Sequence, residues 1–519
     1  MPCVNCRIAI PLHRKKLIKL NIIYNFTTMM KTKNLLFAMA CAFTVQASAQ
    51  SGSVKYNDFV VTNPSNIKQG VLANGFRYYL CDNGVPVNKL EMRLIQKSGT
   101  DDEGDIPGIA LLLRRMLCSE NLTAGTAGVL KDKLDELNLQ SLPDFRAVNG
   151  LVPNVAAYCS EIENRCTEYN LFRLNNERTY AASCMGLLAQ IAGNARFSAA
   201  ELERQKQLAI NEITNSRYNL ALSEANYFKA AFVDGCTLDE LMNKQIASIR
   251  SITLQQLQSY YQRWYVPQNQ CLYVFGKAPA NIVDIIKQQF GSRPSMPAPE
   301  PTPNQLSNQL VLMIQQDVPA CIIQFCFLKP RVAPSDTKNL DELRKAAAYN
   351  RLGEVIGTAF NARVVSAFDD NHKLFNRPVF TLTVVKGLEP NADQQQFGDF
   401  ADEVIQNLND VMRNGVQAHI TQLPIEKRKQ LQQQELARVR NYTVLDTHTC
   451  IKNNFVYGKP LLKETMPYQY FKHEVSDQDI RNCCQELFSN ADLRVVCVTP
   501  NGYPDADIKA KLEAFLTGK

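Results

Sequence analysis

Catalysis and metal binding need lone pairs, protons or negative charges held at fixed spacing, and this 519-residue chain offers few such arrangements. Its five histidines are His13, His372, His419, His448 and His473. No two stand three or four residues apart, the spacing that sets two imidazoles on one helical face. Beyond residue 49 no two cysteines form the CxxC pair of a zinc site. Two segments do gather charged side chains. Gly108-Ile109-Ala110-Leu111-Leu112-Leu113-Arg114-Arg115-Met116 reads as an amphipathic helix carrying two adjacent cations, and Ala199–Thr214 (AAELERQKQLAINEIT) as a helix carrying Glu212. Taken alone, Arg114 and Arg115 read as surface charges and Glu212 as a solvated helix residue. Trp264, the one tryptophan, reads as a core residue.

The elements that would position these side chains fall into two halves. Pro294–Pro303 (PSMPAPEPTP) holds five prolines in ten residues, which neither a helix nor a central strand tolerates, so it reads as an extended linker. Both halves close in one order. Before the linker, an amphipathic helix at Ile252–Tyr265, starting near Thr253, leads to a strand at Gln270–Phe275, a turn and a helix at Ala280–Phe290. At the C-terminus, a helix Ser476–Phe488 capped by Ser476 leads to a strand Leu493–Val498, a turn and a helix Asp505–Leu516. The openings also correspond. Val71–Cys81, with its Asn-Gly turn, and Lys89–Lys97 in one half match Leu310–Gln315 and Cys321–Leu328 in the other. The expected fold class is α+β: two homologous domains, 50–293 and 304–519, joined by 294–303, each a mixed or antiparallel sheet with helices mainly on one face.

The basic balance belongs to the leader. Arg7, Arg14, Lys15, Lys16, Lys19, Lys31 and Lys33 account for seven of the 57 basic residues, and the remaining 50 match the 50 acidic ones. No nucleic-acid partner is expected. Met30, Lys31 and Lys33, then the apolar Asn34–Val45, then Ala47-Ser48-Ala49, form the charged, hydrophobic and small-residue parts of a signal peptide at 30–49, with cleavage after Ala49. Residues 1–29 are read as preceding the true start, and the apolar run is too short to span a bilayer. The chain is therefore expected to be exported, periplasmic or envelope-associated, with no membrane span in its mature part. Thirteen of the 16 cysteines lie beyond the leader; an odd number leaves at least one thiol or an intermolecular bond. Cys159 and Cys166 are spaced to bridge a loop.

Three stretches in order resemble the M16 metallopeptidase family, which includes pitrilysin, insulysin and mitochondrial processing peptidase. Leu72-Ala73-Asn74-Gly75-Phe76-Arg77-Tyr78-Tyr79 is similar to its opening strand motif. Lys97-Ser98-Gly99-Thr100, acidic residues and Pro107-Gly108-Ile109-Ala110 resemble the approach to its catalytic helix. Arg263-Trp264-Tyr265-Val266-Pro267-Gln268-Asn269 resembles the lead into the last strand of a repeat. The resemblance implies a fold like that of LuxS and the processing peptidase. It also implies an inverted HxxEH motif after Gly108-Ile109-Ala110, with two histidines on zinc, a glutamate activating water and a later glutamate as the last ligand.

At those positions this chain has Leu111, Arg114 and Arg115. Leucine has no lone pair, and a guanidinium repels a dication. Glu212 stands where the later glutamate is expected, 97 residues past Arg115, and Gln205 replaces an accessory glutamate. Arg363 (AFNARVVSAF) resembles the substrate-gripping arginine of the family's second half, but the tyrosine that should accompany it is missing until Tyr442. Zinc is expected of the family and not of this chain, and no other cofactor is implied. The expected function is that of an exported non-catalytic homologue. It would bind peptides or unfolded polypeptide, pairing with itself or with an active M16 subunit. The alternatives are an active zinc endopeptidase with unconventional ligands, or an envelope scaffold with no protease partner.

Overall fold

The computed structural model describes residues 67–518, except 83–88, 125–129, 143–154, 217–226, 301–304, 330–339, 388–393, 418–425, 435–443, 462–470 and shorter stretches within 317–319, 370–376, 427–432, 460, 472–473, 491 and 503–504. The expected leader and cleavage site, His13, His419, His473 and Tyr442 lie outside the described residues.

The first half contributes β1 (Ile67–Val71), β2 (Arg77–Cys81), β3 (Lys89–Gln96), β4 (Thr123–Ala124), β5 (Gln140–Ser141), β6 (Ala157–Ile162), β7 (Thr167–Asn175), β8 (Ala195–Arg196) and β9 (Gln270–Gly276). Seven of these form a sheet in the order β1-β2-β9-β3-β7-β6-β5, while β4 pairs only with β8. The second half contributes β10 (Val311–Gln316), β11 (Ala320–Leu328), β12 (Arg363–Asp369), β13 (Val379–Gly387) and β14 (Asp492–Pro500), in the order β10-β14-β11-β13-β12. In the first sheet β2 runs parallel to β9, and β9, β3, β7 and β6 then alternate. In the second, β10 runs parallel to β14, and β14, β11, β13 and β12 alternate. The repeat of senses is the duplication read from the sequence. β9 and β14 each have a strand paired along both edges, and both of their faces are covered. Every residue of β9 is buried, as a short continuous apolar run requires.

The turn and cap signals act as their chemistry predicts. Gly75 takes φ +89° between β1 and β2. Thr253 caps the helix Leu254–Trp264 by accepting from the Gln256 amide, and the Gln256 side chain accepts from the Thr253 amide. Ser476 and Asp479 do the same for the helix Asp477–Asn490. Trp264 is buried in the first core.

Each sheet packs its helices on one face. In the first half Leu90, Met92, Leu94, Leu171 and Leu272 meet the helices Ile109–Leu117, Arg178–Gly193, Leu254–Trp264 and Ile282–Phe290. The opposite faces are covered by exchange. The helix Val444–Tyr457 of the second half lays Ile451, Phe455 and Val456 on Tyr79, Ile95, Tyr273 and Phe275 of the first sheet. Phe228, Ala231 and Phe232 of the first half pack on Leu312, Ile322, Val379 and Val496 of the second sheet.

The proposed Cys159–Cys166 bridge is corrected by register. Cys159 lies opposite Asn170, while Cys166 sits at the hairpin end beside the Ile162–Thr167 pair. Four residues of ladder, about 13 Å, separate the two positions, beyond the ~7 Å Cα reach of a disulfide. Among the described residues no helix is long and apolar enough to cross a membrane.

Candidate functional site

The segment that carries Leu111, Arg114 and Arg115 is a helix, Ile109–Leu117. It begins at Gly108, whose φ of +86° and close approach to Ile249 leave no room for a side chain; an added Cβ would lie 2.7 Å from Ile249. Glu103 completes this start. Its carboxylate accepts hydrogen bonds from the amides of Gly108 (2.8 Å) and Ala110 (3.2 Å). Burial pushes Glu103 up to about 7, against Lys229 and the two amides, which favour its charge. The sequence reading placed only unspecified acids here; Glu103 is the one that holds the helix.

Ile109, Leu112, Leu113, Met116 and Leu117 bury one face in the core. Leu111, Arg114, Arg115 and Cys118 lie on the other, toward β6 and the helix Ala199–Ser216. There the structure gathers the three charged positions that the sequence singled out. Arg114 Nη2 donates to both oxygens of Glu212, at 2.8 and 2.9 Å. Arg115 Nη1 donates to Glu212 Oε2 at 2.5 Å. Arg114 Nη1 reaches Ser160 Oγ on β6 at 3.3 Å. Arg114 is buried, and the Glu212 side chain is 37% exposed. The two arginines are therefore not free surface charges, and Glu212 is not simply solvated. Leu111 packs on the edge of the core.

A second tie joins the helix Ala199–Ser216 to the turn that follows Leu117. Glu201 accepts from Asn121 Nδ2 (2.9 Å), Arg204 and Gln205 Nε2 (2.7 Å), and closely from Ser119 Oγ. Burial opposes its charge, yet these donors hold Glu201 down to about 2. Gln205, at the accessory-glutamate position, is thus a buried donor.

These residues do not fit a zinc ion. The one carboxylate in place is already shared by two guanidiniums, and neither Leu111 nor the arginines can ligate. Among the described residues no group of three or more His, Cys, Asp or Glu side chains could hold a metal. Arg363 is not part of the cluster. It opens β12 on the second sheet, exposed, with Val385 as its register partner.

The sequence reading dismissed His448 as scattered; the fold gives it company. Glu168, inside β7 and fully buried, lies 3.2 Å from His448 Nε2, 3.3 Å from Lys452 Nζ and 3.9 Å from Arg93. Lys452 also pairs with Glu163 at 2.7 Å, and Tyr79 Oη donates to Asn454 at 2.7 Å. Burial would raise Glu168, but the surrounding cations hold it well below the usual carboxylate range. Burial lowers His448, despite Glu168, so the imidazole is held toward its neutral form. The sequence signal was weak, since Glu168 stands near the start of a mixed polar and apolar strand, TEYNLFRLN. Its partners stand 280 and 284 positions away.

Comparison with known proteins agrees with this architecture. Residues 251–432 match the family described as Peptidase M16 inactive domain. A zinc protease PQQL-like protein of Arabidopsis thaliana is 21% identical over 293 residues, covering 55% of this chain and 29% of that one. The crystal structure of the periplasmic protease PqqL from Escherichia coli superposes with a TM-score of 0.65 at 16% identity, over 88% of this chain and 51% of that one. A structure of the first half of the same protease gives 0.64 at 16% identity, covering 88% of this chain and 98% of that half. The chain spans less than a third of the curated relatives it matches. The M16 resemblance is borne out to this extent: residues 251–432 match an M16 domain, and the described residues share the fold of these solved structures.

Proposed function

We propose that the chain is an exported, non-catalytic M16 homologue that binds peptides or unfolded polypeptide, paired with a second copy or with an active M16 subunit. One observation carries the non-catalytic reading: Arg114 and Arg115 share Glu212 where a metal and its ligands would otherwise stand. Hydrolysis by this family's chemistry requires a water activated by the metal and a base beside it, and neither group has a substitute here. The pairing is supported by the fold match. The chain covers nearly all of the first half of the Escherichia coli protease and half of the whole. Export is supported by the leader and by the periplasmic description of that protease.

The test is metal content and cleavage together. Purified chain dialysed against zinc should retain no stoichiometric metal and leave an unfolded test polypeptide intact. Stoichiometric zinc with cleavage would overturn the non-catalytic reading. Co-purification from the native envelope should recover a second copy or an HxxEH-bearing chain, and a monodisperse monomer with neither would remove the pairing.

A further inference from the structure

The Arg114–Arg115–Glu212 cluster is not electrically closed. Two guanidiniums face one carboxylate, and no second acid pairs with either arginine among the described ion pairs. The other polar neighbours cannot supply a charge. Burial pushes the Cys118 thiol up, and Tyr158, 3.2 Å from it, stays protonated for the same reason. Ser160 is a neutral acceptor. The excess charge also lies within reach of solvent. Arg115 is 23% exposed and Glu212 37%, whereas Arg114 beneath them is 9% exposed. Glu212 is held only by these guanidiniums among the side-chain hydrogen bonds described, so a rotation of its side chain releases it without moving the helix.

We propose that the Arg114–Arg115 pair is a carboxylate-binding site in which Glu212 is the resident anion, exchangeable for a carboxylate of a bound peptide. The ligand chemistry follows from the donors. A guanidinium presents parallel N–H groups that match the two oxygens of a carboxylate, and Arg114 already holds Glu212 in that two-oxygen manner. An arriving carboxylate takes over contacts that are already formed and oriented, so little further ordering is required. Neutral amides and hydroxyls offer no charge to offset the pair. The carboxylate can come from an acidic side chain or from a free C-terminus. This inference rests on the peptide-binding reading above and narrows it to acidic or C-terminal segments.

The full chain is tested with four labelled peptides of equal length by fluorescence anisotropy. They combine interior Glu or Gln with a free or amidated C-terminus. Peptides that keep a carboxylate should bind about tenfold more tightly than the neutral one, and the advantage should shrink with added salt. The arm that carries the difference identifies the source. Arg115→Gln should abolish the difference and Arg115→Lys should retain part of it, since a lysine keeps the charge and loses the fork. Glu212→Ala should melt lower than the wild type, and acetate should raise its melting temperature where acetamide does not. Equal binding of all four peptides would overturn this inference and leave peptide binding standing. Absence of binding by all four would overturn both, and failure of acetate to act differently from acetamide would remove the exchangeable anion.

Discussion

Two faces of the first sheet each hold a carboxylate among cations, and they solve the same electrostatic problem differently. On the helix side Glu212 sits partly in solvent and joins two helices of one half. On the opposite face Glu168 is fully buried and joins β7 to the helix Val444–Tyr457 of the other half. A third carboxylate, Glu103, sharpens the contrast. Glu103 and Glu168 are both buried, but Glu103 has two amides and Lys229 and is pushed up to about 7. Glu168 has the cations Lys452 and Arg93 around it, with His448 Nε2 at 3.2 Å, and is held low. Burial depth alone therefore does not decide ionisation; the number of nearby cations does.

The sharpest break in this comparison is Glu168→Gln. It leaves Lys452 and Arg93 buried beside a neutral amide, and removing one partner of such a cluster costs about 4 kcal/mol. Denaturant unfolding should show the loss, and the two halves should begin to separate as distinct transitions. If stability is unchanged, the clasp is not what joins them.

Next in size is the pH dependence carried by Glu103. Its native value lies above the ordinary 4.5, so between about 4.5 and 7 the native state binds the extra proton. Its contribution then falls as pH rises through that window, by on the order of 3 kcal/mol in the limit. Unfolding free energies measured across the window should show that slope in the wild type and lose it in Glu103→Gln. Equal slopes in the two proteins would show that Glu103 is not the source.

Glu212→Gln should cost less than the buried cluster, about 2 kcal/mol, because solvent screens a half-exposed acid. A double-mutant cycle with Arg114→Met should return most of that as coupling; independent effects would mean that the pair is not a working contact. Gly108→Ala should cost about 2 kcal/mol through its positive φ and the Ile249 contact, read as a lowered melting temperature. Arg363→Ala, exposed at an edge strand, should change stability by less than about 0.5 kcal/mol.

Much of this was legible in the chain. Gly108 and the apolar face of Ile109–Leu117 set the helix, and a 3.6-residue period then places Leu111, Arg114 and Arg115 on one side. The capping residues Thr253 and Ser476 and the apolar runs of β9 and β14 showed the duplicated plan, because caps and strand burial are written within a few residues. Arg363 was legible only as a local likeness, and the fold sets it on another sheet. The Cys159–Cys166 pairing failed because spacing along the chain says nothing of hairpin register.

What the amino-acid order determined by itself is local and chemical: where helices and strands begin, and that Leu111, Arg114 and Arg115 cannot hold zinc. Only the tertiary structure decided that both arginines close on Glu212, that Glu103 rather than its neighbours anchors the helix, and that His448 and Lys452 meet Glu168. The Glu212 contacts and those of Glu168 with His448 and Lys452 join residues 97 to 284 positions apart, and the ionisation of Glu103 and Glu168 depends on burial and on neighbours from other elements. Coordination chemistry is a property of residue types, whereas the field around a charge is a property of the fold.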